Sequence, residues 1–175
     1  MKILERFYPC AIESSTYEIP FEDYRNRGYK GLIFDIDNTL VPHGAPAEER
    51  TIRLFERLRV LGFQTCLLSN NKEKRVKPFA EQVGSLYISS GGKPGAAGYQ
   101  KAMEFMGTAA QETLFVGDQL FTDVYGANRS GLYSILVRPI DPHEEIQIVL
   151  KRYLEKPVLH SYMAFTGQKN RKGTK

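Results

Sequence analysis

The stretch Gly31–Leu40, which reads GLIFDIDNTL, decides the fold of this chain. Its four leading residues form a short apolar run that passes directly into two acidic residues, Asp35 and Asp37. Such a run predicts a buried strand, and the two carboxylates then lie at its carboxyl end. In open α/β sheets, ligands bind beyond the carboxyl ends of the strands. The stretch therefore predicts a sheet strand together with the first two residues of a functional site.

Beyond this stretch, short apolar runs alternate with helical periods. Strands are predicted at 63–68, 86–88, 114–116 and 133–137, and helices at 47–61, 77–83, 94–106, 121–130 and after 141. Pro78 is expected in the first turn of its helix, where a missing N–H is tolerated. Asp141, Pro142 and Glu144 predict the cap and first turn of the last helix. The alternation predicts parallel βαβ units, and thus a three-layer α/β/α Rossmann-like sheet.

Two end segments flank the predicted core. Residues 1–30 do not follow the alternation, and we expect an N-terminal arm packed on a core at 31–158. Residues 159–175 are expected to form a basic, flexible tail. The net charge of +4 comes from this end of the chain, where residues 160–175 hold Lys169, Arg171, Lys172 and Lys175 and no acid. The tail gives no strong nucleic-acid signal, and its contact with phosphate-bearing partners or an anionic membrane surface stays open.

The composition is that of an ordinary globular domain. The 175 residues are 42% hydrophobic and 25% charged, which excludes long disorder and a collagen-like chain. No apolar run reaches the roughly 20 residues of a membrane-spanning helix. Two distant cysteines provide neither a disulfide framework nor a zinc cluster. We therefore expect a reduced, cytoplasmic protein, with peripheral contact at the inner face of a membrane left open.

Polar residues also follow the other predicted strands. The Ser69 hydroxyl and neighbouring N–H groups are suited to holding phosphoryl oxygens, and Lys93 is suited to offsetting negative charge. Asp118 and Asp123 follow another strand in the sequence GDQLFTD. Several carboxylates around one site repel one another unless a cation is present, and oxygen ligands favour Mg²⁺. The sequence therefore predicts a phosphate site together with a Mg²⁺ site.

These motifs, in this order, resemble the four motifs of the haloacid dehalogenase (HAD) superfamily of phosphohydrolases. The N-terminal arm together with IFDIDNTL, LSNN and VGDQLFTDV is similar to the YqeG-type subfamily of class IIIA, whose relatives include phosphatidylglycerophosphate phosphatases. The resemblance implies a Mg²⁺-dependent phosphomonoester hydrolase that works through an aspartyl-phosphate.

The same resemblance implies a role for each residue. Asp35 is the nucleophile and Asp37 the acid and base. Phosphate is bound by Ser69, the Asn70 N–H and Lys93. The metal is held by Asp35, the backbone carbonyl of Asp37, Asp118 and Asp123.

The segments between these motifs are too short for a cap domain of about 50 residues or more. An open site favours a large substrate, or a neighbouring subunit that serves as a lid. Phosphatidylglycerophosphate, a sugar phosphate, a nucleotide and a phosphoprotein remain candidate substrates, and a non-enzymatic binding scaffold is the alternative from another class.

Two features near the site stay open. His43 either contacts the leaving group or is an exposed loop residue. The basic run Lys72, Lys74, Arg75 and Lys77 either attracts an anionic substrate or forms a solvated helix face.

Overall fold

The computed structural model describes residues 2–141 and 146–172, with one sheet of six parallel strands in the order β1-β6-β5-β2-β3-β4. The strands are β1 (Ala11–Glu13), β2 (Gly31–Phe34), β3 (Gln64–Leu68), β4 (Leu86–Ile88), β5 (Thr113–Gly117) and β6 (Tyr133–Val137). The helices are α1 (Lys2–Glu5), α2 (Phe21–Asn26), α3 (Glu49–Val60), α4 (Glu73–Val83), α5 (Ala96–Met106), α6 (Tyr125–Arg129) and α7 (Ile146–Lys172). One π-helical turn, Leu120–Val124, precedes α6.

The central strand β2 is buried because helices cover both faces of the sheet. Successive side chains of a strand point to opposite faces. Phe34 accordingly packs with Phe55 of α3 and Phe79 of α4, whereas Ile33 packs with Tyr99 of α5. The three-layer α/β/α prediction is confirmed. Between β2 and α5 the chain forms only the segment 35–48, whose residues 41–48 are called the flap, and then α3, β3, α4 and β4. The described residues therefore include no cap domain.

The register of the central strands sets the position of the site. Phe34 at the end of β2 lies level with Leu67 of β3 and Val116 of β5. The residues that follow these three strands therefore emerge along the same sheet edge.

Two details of the helices differ from the sequence prediction. Pro78 lies inside α4, so its placement in a first turn is wrong. The helix begins earlier because Val76 and Phe79 both pack into the core, and the proline removes only one backbone hydrogen bond. The predicted helix start at Pro142 and Glu144 lies outside the described residues.

The N-terminal arm is more regular than expected. Its strand β1 extends the sheet by pairing in parallel with β6, with Ala11 level with Ile135. From α2, Phe21 and Tyr24 are buried in the core. The arm thus contributes the edge strand of the sheet as well as packing on it.

Residues 159–172 are helical in the structure, where a flexible tail was expected, because α7 runs to Lys172. Tyr8 of the arm packs against Tyr162 and Phe165, at ring-centroid distances of 5.4 and 5.7 Å, and its hydroxyl lies 2.6 Å from the Ser161 hydroxyl. These contacts fix this part of the helix against the arm. No helix in the described ranges is long and apolar enough to cross a membrane.

Candidate active site

A polar cavity of about 170 Å³ lies at the carboxyl edge of the sheet, where the sequence places the site. Its lining residues are Asp35, Asp37, Asn38, His43, Ser69, Asn70, Asn71, Lys93, Gln119 and Thr122. Residues that follow β2, β3 and β5 therefore meet in one cavity, together with Lys93, which lies shortly before α5.

Asp35 is held at the end of β2 by its backbone N–H, which donates to the Val116 carbonyl at 2.9 Å. Its side chain is 10% exposed and lies 2.6 Å from the Lys93 ammonium. Burial raises the pKa of Asp35 to about 6, and the Lys93 charge limits that rise. The carboxylate is thus mostly ionised at neutral pH and poorly hydrated.

Lys93 links two of the predicted site carboxylates. Its Nζ lies 2.6 Å from Asp35 Oδ1 and 2.7 Å from Asp123 Oδ1. Burial alone lowers the pKa of an ammonium, but Asp123 and Asp35 outweigh it and hold the pKa of Lys93 above its usual value. The Asn70 side chain fixes the lysine backbone: its amide donates to the Lys93 carbonyl at 3.0 Å and accepts from the Lys93 N–H at 2.7 Å.

Three buried carboxylates form a candidate metal site. Asp35, Asp118 and Asp123 each offer an oxygen, and these oxygens all lie within 4.8 Å of one another. The Thr39 hydroxyl donates to Asp118 Oδ1 at 3.2 Å. Three carboxylates beside the single Lys93 ammonium leave an excess of negative charge in a desolvated place. Because oxygen ligands of this kind suit a hard divalent cation, the residues fit the metal that the sequence predicts.

Asp123 is oriented by the π-helical turn that carries it. The Gln119 N–H donates to Asp123 Oδ2 at 3.0 Å, and the Tyr99 hydroxyl donates to the backbone carbonyls of Thr122 and Asp123 at 3.0 and 3.2 Å. A Cβ at position 117 would lie only 2.5 Å from Asp123 Oδ2, so this close approach requires Gly117.

Asp37 is bound by three donors. Its Oδ1 accepts from the Gly44 N–H at 2.8 Å and from Arg75 Nη2 at 2.9 Å, and its Oδ2 accepts from Asn71 Nδ2 at 2.6 Å. These contacts place the carboxylate at the cavity wall formed by the flap and α4. The chain thus provides two neighbouring carboxylates in different surroundings, one beside an ammonium in the metal cluster and one under the flap.

Ser69 and His43 also lie where the sequence predicted. The Ser69 side chain is buried, and its Oγ accepts the Asn71 N–H at 3.1 Å, which leaves the hydroxyl hydrogen free to donate within the described surroundings. His43 is exposed on the flap and lines the cavity.

Comparison with known proteins agrees with this geometry. The profile of the haloacid dehalogenase-like hydrolase family matches residues 49–131. A probable phosphatase YqeG of Bacillus subtilis is 35% identical over 90% of this chain and 92% of its own length. The chain belongs to the YqeG family of HAD-like phosphatases.

More distant relatives extend the comparison. A phosphatidylglycerophosphate phosphatase 1 of Arabidopsis thaliana is 29% identical to this YqeG-family chain, over 83% of the chain and 49% of the plant protein. Among solved structures, a cobalt-bound deoxy-D-mannose-octulosonate 8-phosphate phosphatase from Haemophilus influenzae covers 79% of the chain and 91% of its own, with a TM-score of 0.53. At 13% identity, this likeness supports the HAD-like fold alone.

Several contacts of the YqeG-family site were missed in the sequence. Asn71, the Gly44 N–H and Arg75 bind Asp37, whereas the sequence shows Asn71 only as the end of the LSNN motif and Arg75 only as part of a basic run with two open interpretations. Glu155 of α7 is 4% exposed, and its Oε1 accepts the Leu120 N–H at 2.8 Å. It supports the start of the turn that carries Asp123, but no motif marks an isolated acid in a helix.

Proposed function

We propose that this phosphatase hydrolyses phosphate monoesters through an aspartyl-phosphate formed on Asp35, with Mg²⁺ as its metal. The observation that carries the proposal is the buried Asp35 carboxylate, which faces the cavity 2.6 Å from the Lys93 ammonium and belongs to the carboxylate cluster. A scaffold that only binds a partner has no need for buried carboxylates held in this way.

In the first step, an Asp35 oxygen forms a bond to phosphorus while the bond from phosphorus to the leaving-group oxygen breaks. Asp37 donates its proton to that oxygen. In the second step, Asp37 takes a proton from water, whose oxygen attacks phosphorus and releases Asp35 and inorganic phosphate. The two roles fall to carboxylates with different contacts: Asp35 lies beside the Lys93 ammonium, and Asp37 accepts from the Gly44 N–H, Asn71 and Arg75.

Three donors that line the same cavity would bind the phosphoryl group. The Ser69 hydroxyl, the Asn70 N–H and the Lys93 ammonium would bind its oxygens and stabilise the charge of the transition state. Lys93 would also keep Asp35 ionised. The hydrogen bonds from the Asn70 side chain hold Lys93 in place for both tasks.

The metal would be held by the carboxylates of Asp35, Asp118 and Asp123 and by the Asp37 backbone carbonyl. When bound, Mg²⁺ supplies charge that offsets the phosphoryl oxygens and lets them approach an anionic nucleophile. Thr39 and Gln119 orient two of its carboxylates through the hydrogen bonds to Asp118 and Asp123.

For the substrate we propose phosphatidylglycerophosphate. The support is the likeness to relatives from Arabidopsis thaliana and Chlamydomonas reinhardtii that carry this activity in their names, together with a cavity that no cap domain closes among the described residues. A leaving group as large as a lipid can then extend out of the site. On this proposal, the enzyme meets the lipid from the cytoplasm, at the inner face of the membrane.

The test is phosphate release from a panel of esters, with Mg²⁺ and with EDTA. The panel contains phosphatidylglycerophosphate in neutral detergent, sugar phosphates, nucleotides and p-nitrophenyl phosphate. We expect metal-dependent release that is lost in Asp35→Asn and kept in Asp23→Asn, a matched change of an exposed acid. Retention of more than a few per cent of activity in Asp35→Asn would remove Asp35 from the nucleophile role. A higher kcat/KM for a soluble ester than for phosphatidylglycerophosphate would refute the lipid as the substrate.

A further inference from the structure

A second cavity adjoins Asp37 on the side of the flap. It has a volume of about 190 Å³ and is lined by Gly44, Pro46, Lys74, Arg75, Pro78, Phe79 and Gln82. We call it the flap cavity. Two of its lining residues, Gly44 and Arg75, are the same residues that bind Asp37 Oδ1, at 2.8 and 2.9 Å. The flap cavity and the catalytic cavity therefore meet at the proposed proton donor.

Two of the seven residues that line the flap cavity are cationic, and none of the seven is acidic. Lys74 is exposed, and no carboxylate among the described residues forms an ion pair with it. The one nearby acid in the first turn of α4, Glu73, accepts a hydrogen bond from the Tyr87 hydroxyl at 3.0 Å, at the β4 edge. The cavity also borders the N-terminal end of the 11-residue helix α4, which favours anions.

Arg75 is held in a fixed position at the border of the flap cavity. Its Nη2 binds Asp37, and its guanidinium lies 5.4 Å from the centre of the Phe79 ring, which fixes the plane of the group. Its Nε is buried and has no hydrogen-bond partner in the described part of the chain. This donor has no accessible surface, so it is the positive charge of the partly exposed guanidinium that would attract an anion in the flap cavity.

We propose that the flap cavity is an anion subsite that binds a second phosphate group carried by the leaving group of the substrate. This proposal rests on the proposed function, since Asp37 protonates the leaving oxygen and the leaving group must therefore depart on the side of Asp37. A phosphate diester a few bonds beyond that oxygen would reach Lys74 and Arg75. The subsite thus selects esters with two phosphates over esters with one.

The experiment compares kcat/KM for two soluble monoesters. One is sn-glycerol 3-phosphate, which has a single phosphate, and the other is glycerophosphoglycerol phosphate, the deacylated head group with an additional diester. We expect the wild type to prefer the second substrate, and Lys74→Gln to reduce that preference about tenfold, the effect of one charge-assisted hydrogen bond. Lys77→Gln is the matched control: it removes an equal charge from an exposed position of α4 that does not line the flap cavity.

A third arm uses phosphatidylglycerophosphate in neutral detergent micelles and separates a subsite from attraction to a lipid surface. Equal effects of Lys74→Gln on the lipid and on its deacylated head group support the subsite. An effect confined to micelles, an equal loss for both soluble esters, or no preference in the wild type overturns it. The proposed function fails separately, if the wild type releases phosphate from none of the esters, including p-nitrophenyl phosphate.

Discussion

Gly117→Ala tests whether the position of Asp123 limits the reaction. The new Cβ would lie 2.5 Å from Asp123 Oδ2 and 2.7 Å from its Cγ, whereas an ordinary contact begins at 3.4 Å. The carboxylate must therefore move by about 0.9 Å. It has little freedom to do so, because Lys93 binds Oδ1, the Gln119 N–H binds Oδ2 and Tyr99 binds the backbone carbonyl.

The expected loss is large for one methyl group. A misplacement of about 1 Å reduces a rate about 100-fold, which corresponds to about 2.7 kcal/mol of transition-state stabilisation. Overpacking also lowers the free energy of unfolding by about 1–3 kcal/mol. The melting temperature falls by about 2–4 °C for each kcal/mol that is lost.

Gly107→Ala separates the loss of activity from the loss of stability. Gly107 has φ of +65°, ends α5 and has no neighbour within 4 Å of a built Cβ. Alanine there is strained by about 1–2 kcal/mol but displaces no site residue. Thermal unfolding should show similar losses for both variants, while phosphate release and Mg²⁺ titration calorimetry should be impaired only in Gly117→Ala. Equal activity of the two variants would refute the reasoning.

Three further perturbations probe the charges of the site. Lys93→Met leaves Asp35 and Asp123 without their shared cation, and we expect kcat to fall at least about 100-fold; a loss below tenfold would contradict the charge role of Lys93. Asp37→Asn should lower kcat/KM, which reports the first step, far more for alkyl phosphates than for p-nitrophenyl phosphate, whose leaving group needs no proton; an equal loss for both would argue against Asp37 as the acid. In the metal-free protein, the folded-state pKa of Asp35, about 6, lies above its unfolded value of 3.8. Protonation therefore favours the folded state, so this residue's contribution to the free energy of unfolding should decrease by about 3 kcal/mol as pH rises from about 4 to 6. Urea unfolding of the wild type and of Asp35→Asn across this pH range measures the contribution of Asp35. Identical pH profiles of the two proteins would refute the raised pKa of Asp35.

The positions at strand ends could be predicted because the signal is local. An apolar run followed by Asp35, Ser69 or Asp118 marks both a strand and the point where it ends, and parallel register then brings these residues to one edge. The signal for Lys93 is also local, since this lysine lies shortly before the predicted start of α5. Asp35 and Asp118 of the metal cluster follow from the same register, whereas the position of Asp123 also depends on contacts of the π-helical turn.

The contacts of Asp37 could not be predicted because they depend on where helices begin and how they pack. Arg75 reaches Asp37 because α4 begins at Glu73, whereas Pro78 favoured a later start. Glu155 supports the turn of Asp123 from more than 30 positions away. The three-residue strand β1 is too short and too exposed to give a pattern of its own.

The pairing of β1 with β6 has a consequence for the order of assembly during synthesis. Ala11 leaves the ribosome early but must wait for Ile135 before it can join the sheet. A nascent chain that ends after β5 and its turn already contains the proposed nucleophile and the three acids of the metal cluster. It still lacks β6 and Glu155. The Glu155 side chain has no part in the proposed reaction, but it accepts the hydrogen bond from the Leu120 N–H. Such late, long-range closure is slow to form. The turn that carries Asp123 should therefore reach its final position only after α7 has docked.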